Sequence, residues 1–300
     1  MIGVGHSKSS VYARNVGILK AYTDDEYRLI HMQTMHLAGF EERDKPHGKG
    51  KKGSAGNTTK LSQSLSRSRK NVLELAKCNP WEWFVTLTID GSKHDRYDLK
   101  QYQKKLSKWI NNRNSSRSCA TKYLLIPEPH KDNAWHMHGL LQNIPLDELV
   151  PFTLQDNIPQ HVKELIASGR EIYNWPAYAN AFGWVTLERI RDHDRCAAYL
   201  TKYITKELME SSIAMEHHTY YASKGLQRAR VIHQGEIRQN FEPDFQNDYV
   251  RIKQFSTPEE PLKYFCDKEH DNEDTTSFDD SRSCGDSPHQ PQQHVRPSPW

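Results

Sequence analysis

The sequence predicts an α+β fold in which a central antiparallel sheet carries helices packed on it, and three observations lead there. Four segments read as strands, "WEWFVTLTID" (81–90), "TKYLLIPEPH" (121–130), "AWHMHGLLQNI" (134–144) and "GWVTLERI" (183–190), the first rich in aromatic and β-branched residues that alternate with a period of two. Between them stand segments whose apolar residues recur at steps of three and four. The short link between the second and third strand segments suits a hairpin, so the sheet is antiparallel at least in part. The predicted order is β-α-β-β-α-β-α-β, one sheet with helices against one face.

Taken in chain order, residues 23–39, "TDDEYRLIHMQTMHLAG", read as a helix: Thr23 and Glu26 form a capping box, and Gly39 can end it. A Gly/Lys-rich linker follows from about 45 to 60. "LSQSLSRSRKNVLELAKCN" returns to helix on the stripe Leu65, Val72, Leu73 and Leu75. In the first strand Phe84, Thr86 and Thr88 alternate with Val85, Leu87 and Ile89. "DLKQYQKKLSKWINNRN" is amphipathic through Leu99, Tyr102, Leu106, Trp109 and Ile110. The second strand is expected to break at Pro127 and Pro129. A helical insert, "LQDNIPQHVKELIASGR", and an aromatic loop, "IYNWPAYANAF", precede the fourth strand. In "RDHDRCAAYLTKYITKELME" Asp192 or Asp194 can cap a helix running to about Met209. "HTYYASKGL" reads as a strand and glycine turn, and "RARVIHQGEIRQ" as a further extended pair.

Three regions follow: 1–60, an N-terminal helix and basic linker; 61–253, the main domain; and 254–300, a charged, Pro/Ser/Gln-rich, aperiodic stretch expected to be disordered. Residues 254–300 hold ten acids and four Lys or Arg, a net of −6, which leaves +9 of the overall +3 on residues 1–253. A basic body suits a polyanionic partner. Between Lys45 and Lys70 eight Lys or Arg occur without one acid, among them Lys49, Lys51, Lys52, Arg67, Arg69 and Lys70, the candidate DNA contacts. The five cysteines lack C-x-x-C spacing and are odd in number, which suits reduced thiols. No apolar run reaches the length of a membrane span and "MIGVGHSKSS" has no apolar core, so an intracellular, cytoplasmic protein without membrane partners is expected.

His136 and His138 lie one residue apart in a strand, hence on one face and roughly 7 Å apart along the chain. Such a pair can converge on an ion, although a histidine pair without company is more often hydrogen-bonded in a core. Glu128, near the end of the hairpin partner strand, supplies a third ligand type. Two imidazoles and one carboxylate hold a divalent ion with positions open to water or substrate. "YLTKYITK" then places Tyr199 and Tyr203 four apart on one helix face, each followed three residues later by a lysine, Lys202 and Lys206. An amphipathic helix with wet tyrosine hydroxyls has the same pattern. Beside a metal cluster, however, a phenol becomes a candidate nucleophile and a lysine one turn away offsets charge on phosphorus.

A strand "FVTLTI", then an acid, then "HMH" followed by "GLL", then "YLTKYITK", in that order, resembles the HUH endonucleases, specifically rolling-circle replication initiators of the two-tyrosine phage and prophage type. The resemblance spans roughly residues 62–228. It implies an RRM-like palm with the tyrosine helix after the metal-binding strand, and Mg or Mn held by His136, His138 and Glu128. It further implies attack by Tyr199 or Tyr203 on an origin phosphodiester, giving a 5'-phosphotyrosine and a free 3'-hydroxyl, with later rejoining of the displaced strand. Lys202 and Lys206 would assist. The DNA would be single-stranded or supercoiled at the origin. No phosphate-loop pattern occurs in the sequence, so a helicase and polymerase of a bacterial host are the expected partners. Two rivals share these residues: a two-tyrosine transposase, and a non-catalytic RRM-like nucleic-acid binder whose histidines pack and whose tyrosines stack on bases.

Overall fold

The computed structural model describes residues 11–13, 15–33, 36–38, 58–204 and 218–265. In chain order the elements are β1 (Val11–Ala13), β2 (Val16–Ala21), β3 (Tyr27–Met32), β4 (His36–Ala38), α1 (Thr58–Lys77), β5 (Trp83–Thr88) and α2 (Leu99–Arg117). Then come β6 (Lys122–Pro129), β7 (Trp135–Gln142), β8 (Val150–Pro151), α3 (Gln160–Ala167), β9 (Ile172–Asn174), α4 (Pro176–Ala181) and β10 (Val185–Arg189). After these come α5 (His193–Lys202), β11 (Tyr221–Ala222), β12 (Arg230–Glu236), β13 (Phe245–Gln246) and β14 (Val250–Phe255). The fold is α+β.

The main sheet has seven strands in the order β11-β6-β7-β5-β10-β9-β8, every pair antiparallel. Trp83, Val85 and Leu87 point to one face and are buried at 1%, 0% and 1% exposure. α2 covers that face. Asp98 caps it by accepting from the Gln101 amide, Leu99, Tyr102, Leu106 and Ile110 are buried, and Ser107 meets the Tyr123 hydroxyl of β6 at 2.8 Å. Tyr123 and Glu128 are five residues apart on one strand, so they point to opposite faces. The second face therefore carries Phe84, Thr86, Glu128, His136 and His138, and α1 and α5 pack there through Val72, Ala76, Ala197, Leu200 and Ile204, all in one core. Helices thus cover both faces of the sheet, where the sequence reading placed them on one.

β6 runs through Pro127 and Pro129, in register with Met137 and Trp135 of β7, instead of breaking there. β11 pairs with Leu124 and Leu125, and among the described residues no strand pairs with the outer side of β6 at Pro127, where a missing N–H costs no ladder bond. Gly139, next to His138, is required by the close approach of the same two strands: a Cβ there would fall on the Leu124 carbonyl oxygen. The segment 172–182, expected as an aromatic loop, forms β9 and α4, with Pro176 opening the helix.

The expected N-terminal helix over 23–39 is not formed. β2 and β3 make a hairpin closed by Tyr22 N–H to Glu26 O at 2.9 Å. The Glu26 carboxylate that a capping box would use is instead paired with Lys77 at 2.5 Å and with Arg28 at 2.7 Å. This hairpin joins strands from the other end of the chain in a second antiparallel sheet of order β12-β2-β3-β14-β13. Its core holds Leu19, Leu29, Ile237, Phe241, Phe255 and Phe265. Ordered structure therefore passes the expected boundary at 254 and reaches Phe265, while 266–300 lie outside the described residues. Helix α1 begins at Thr58, inside the stretch expected as linker. No helix among the described residues is long and apolar enough to cross a membrane.

Candidate active site

β6 and β7 place Glu128 directly opposite His136, and the two-residue period brings His138 to the same face. Glu128 Oε2 lies 2.9 Å from His136 Nε2 and 2.9 Å from His138 Nε2. One candidate ligand atom from each residue lies within 4.8 Å of the other two, and this is the one such cluster of three among the described residues. Both imidazole side chains are largely buried, at 9% and 14% exposure, whereas Glu128 is 40% exposed and opens the cluster to solvent.

The third strand of the face contributes an unexpected partner. Thr86 of β5 is in register with His138, and its Oγ1 lies 3.1 Å from His138 Nδ1. A hydroxyl donates or accepts, so Thr86 holds the ring with Nε2 toward Glu128 in either tautomer. His130, at the end of β6, stands edge-on to His136 with ring centroids 4.2 Å apart. Neither residue was singled out as part of a site from the sequence. The signal for Thr86 was present in "FVTLT" against "HMH", but it needs the strand register to be read.

Two imidazole N–H groups donating to Glu128 hold its carboxyl down, to about 2, against the opposing effect of burial. Burial lowers the His138 pKa below the ordinary imidazole value, with the neighbouring His136 and His130 adding to the effect and Glu128 opposing it. The pair therefore rests as a carboxylate beside a neutral imidazole. That is the protonation state a metal requires of its ligands.

α5 brings the tyrosines over this cluster. Asp192 is its N-cap, accepting from the Arg195 amide at 2.9 Å, so of the two candidates the first is the cap. Tyr203 is the C-cap residue and keeps right-handed helical backbone, so Tyr199 and Tyr203 stay one turn apart. The Tyr203 ring stacks on His138 at 4.3 Å and 17°. Its hydroxyl donates to the Tyr199 hydroxyl at 2.9 Å. Tyr199 is 47% exposed and rests edge-on against Phe84 at 5.7 Å. Burial, the bond to Tyr199 and the Glu128 charge together push the Tyr203 hydroxyl well above the ordinary phenol range. Lys202 Nζ stands 5.7 Å from the Tyr199 ring centroid.

Of the sequence-predicted site residues, the fold brings together His136, His138, Glu128, Tyr199, Tyr203 and Lys202. Lys206 and the basic residues Lys49, Lys51 and Lys52 lie outside the described residues. Arg67, Arg69 and Lys70 are exposed on α1, and Arg69 Nε donates to the Ile204 carbonyl at 2.9 Å.

Residues 82–208 match the family model of the replication-associated protein ORF2. The matched segment contains every residue of the cluster and both tyrosines. It is similar to replication-associated proteins and supports a replication initiator. No curated protein and no solved structure matches the chain.

Two imidazoles and one carboxylate are a donor set that can hold a divalent metal ion.

Proposed function

We propose that this chain initiates rolling-circle replication by nicking one DNA strand at an origin through tyrosine transesterification, and rejoins the displaced strand. The observation that carries this reading is the stacking of Tyr203 on His138 within the Glu128–His136–His138 cluster, with Tyr199 hydrogen-bonded to Tyr203. A packing role would not require two phenols to share one hydrogen bond above a triad of potential ligands.

His136, His138 and Glu128 would hold Mg or Mn. The bound ion would supply positive charge to a phosphate oxygen at the scissile bond. The chain's own residues do the rest. Tyr203 is a neutral phenol at neutral pH, so it must lose its proton as its oxygen bonds to phosphorus. Its O–H already points to the Tyr199 oxygen, the first acceptor on the route to solvent. The phosphorus–oxygen bond to the 3'-side breaks, and the departing 3'-oxygen takes up a proton. One phosphodiester is exchanged for one phosphotyrosine, so no nucleotide cofactor is consumed. Tyr199, on the same helix face and half-exposed, serves as nucleophile in the second cleavage; the 3'-hydroxyl that this cleavage frees on the displaced strand attacks the phosphotyrosine at Tyr203, which leaves as the phenol, and the strand closes to a circle. Lys202 beside Tyr199 offsets the phenolate charge that develops there. Arg67, Lys70 and the segment bearing Lys49, Lys51 and Lys52 contact the phosphate backbone. The matching family supports a partner DNA. Host helicase and polymerase would act on the nicked product in the bacterial cytoplasm.

The test is a denaturing gel of single-stranded origin DNA incubated with the protein and Mn or Mg. A covalent adduct is expected, abolished by His138→Ala with DNA binding retained. Undiminished nicking by His136→Ala/His138→Ala protein refutes the metal assignment.

A further inference from the structure

α1 and α5 lie antiparallel on the cluster face, and two side chains of α1 hold α5 near its two ends. At the N-terminal end Lys77, 6% exposed, pairs with Asp194 at 2.8 Å and with Glu26 of the small-sheet hairpin at 2.5 Å. At the C-terminal end, two turns earlier on α1, Arg69 Nε donates to the backbone carbonyl of Ile204 at 2.9 Å. That carbonyl belongs to the residue directly after Tyr203. It lies just beyond the C-cap, where a guanidinium complements the negative end of the helix dipole.

The two tyrosines are therefore held by different means. Tyr199 lies inside α5 and its backbone is fixed by the helix. Tyr203 is the C-cap residue, where the helical ladder ends in a bond from its N–H to the Leu200 carbonyl, and the Arg69 bond one residue beyond adds a tie from α1. Arg69 also stands on the cluster side of α1 in a segment that reads, from the sequence, as a simple phosphate-binding run. Its planar guanidinium is committed to a backbone acceptor instead.

We propose that Arg69 is a positioning residue that seats Tyr203, and not Tyr199, over the His136–His138–Glu128 cluster. The inference rests on the reading of both tyrosines as nucleophiles. Without Arg69 the turn at 203–204 keeps the buried Ile204 side chain and its backbone bonds but loses its tie to α1, so the Tyr203 ring stacks less firmly on His138 and the hydroxyl is aligned with the phosphate less often. Tyr199 keeps its helix and its reach. Arg69 thereby biases which of the two phenols takes the phosphate.

The experiment uses the full chain, Mn and a pool of random-sequence single-stranded oligonucleotides, and reads by peptide mapping how the covalent adduct divides between Tyr199 and Tyr203. Arg69→Gln is expected to lower the Tyr203 to Tyr199 adduct ratio about tenfold, the scale of losing one charge-assisted hydrogen bond. Arg69→Lys, which keeps a cationic donor, is expected to restore most of it. In a Tyr203→Phe background Arg69→Gln should leave the Tyr199 adduct unchanged, which also shows that the variant folds. An unchanged ratio, or equal loss of adduct on both tyrosines, overturns the positioning role while leaving the nicking reading intact. Absence of adduct on both tyrosines in the unaltered protein overturns the nicking reading and the role of Arg69 with it.

Discussion

Replacing Thr86 by Val should weaken metal binding by up to about two orders of magnitude although the residue is not a candidate ligand. Val is close in shape to Thr, so the strand and its packing persist and only the hydroxyl is lost. In the present structure that hydroxyl is 3.1 Å from His138 Nδ1, and the His138 side chain is 14% exposed. For Nε2 to ligate a cation, the ring must carry its proton on Nδ1 and donate it to an acceptor. With Val at position 86 that N–H would be buried beside methyl groups. Leaving a buried donor unpaired costs about 1–3 kcal/mol. At 1.4 kcal/mol per decade this corresponds to roughly a 5- to 150-fold rise in the Mn dissociation constant. Isothermal titration with Mn measures it directly, and Thr86→Ser, which retains the hydroxyl, should bind close to the unaltered protein. Mn affinity of Thr86→Val within twofold of wild type would refute the argument that the strand neighbour orients His138.

The remaining expectations are simpler. The Tyr199→Phe/Tyr203→Phe protein should form no covalent adduct, whereas each single variant should form some on a short oligonucleotide yet fail to release circles; a double variant that still forms adduct would place the nucleophile elsewhere. Mn affinity should fall as pH falls, because protons compete for the imidazoles. Glu128, held to about 2, stays ionised throughout, and His138, lowered by burial, stays neutral to lower pH than a free imidazole, so loss of binding should track a histidine and not a carboxylate in titrations from about pH 7.5 to 5. Phe265→Ala should destabilise the small sheet by about 3 kcal/mol, since Phe265 is 6% exposed in a core with Leu19 and Leu29. Chemical denaturation checks it, and an effect under about 0.5 kcal/mol would mean that Phe265 contributes no core.

The sequence by itself determined the parts of this protein that depend on local periodicity. Two-residue alternation put His136 and His138 on one strand face, and four-residue spacing put Tyr199 and Tyr203 on one helix face, because backbone geometry fixes both relations whatever the rest of the chain does. It could pair Glu128 with them because a hairpin joins neighbours in sequence. What only the tertiary structure decided are relations between distant segments. The capping-box pattern at Thr23–Glu26 favours a helix locally, yet Tyr27–Met32 gain strand partners in β14, more than 200 residues later in the chain, and Glu26 gains Lys77. Propensity amounts to tenths of a kcal/mol per residue and gives way to such pairing. The strand through Pro127 and Pro129 survives because, among the described residues, no outer strand pairs with it there, which no window of sequence displays. Thr86 reaches His138 only through the register of β5 against β7, 52 residues apart. Arg69, legible as one cation in a basic run, meets the carbonyl after Tyr203 across 135 residues, just beyond the negative end of α5.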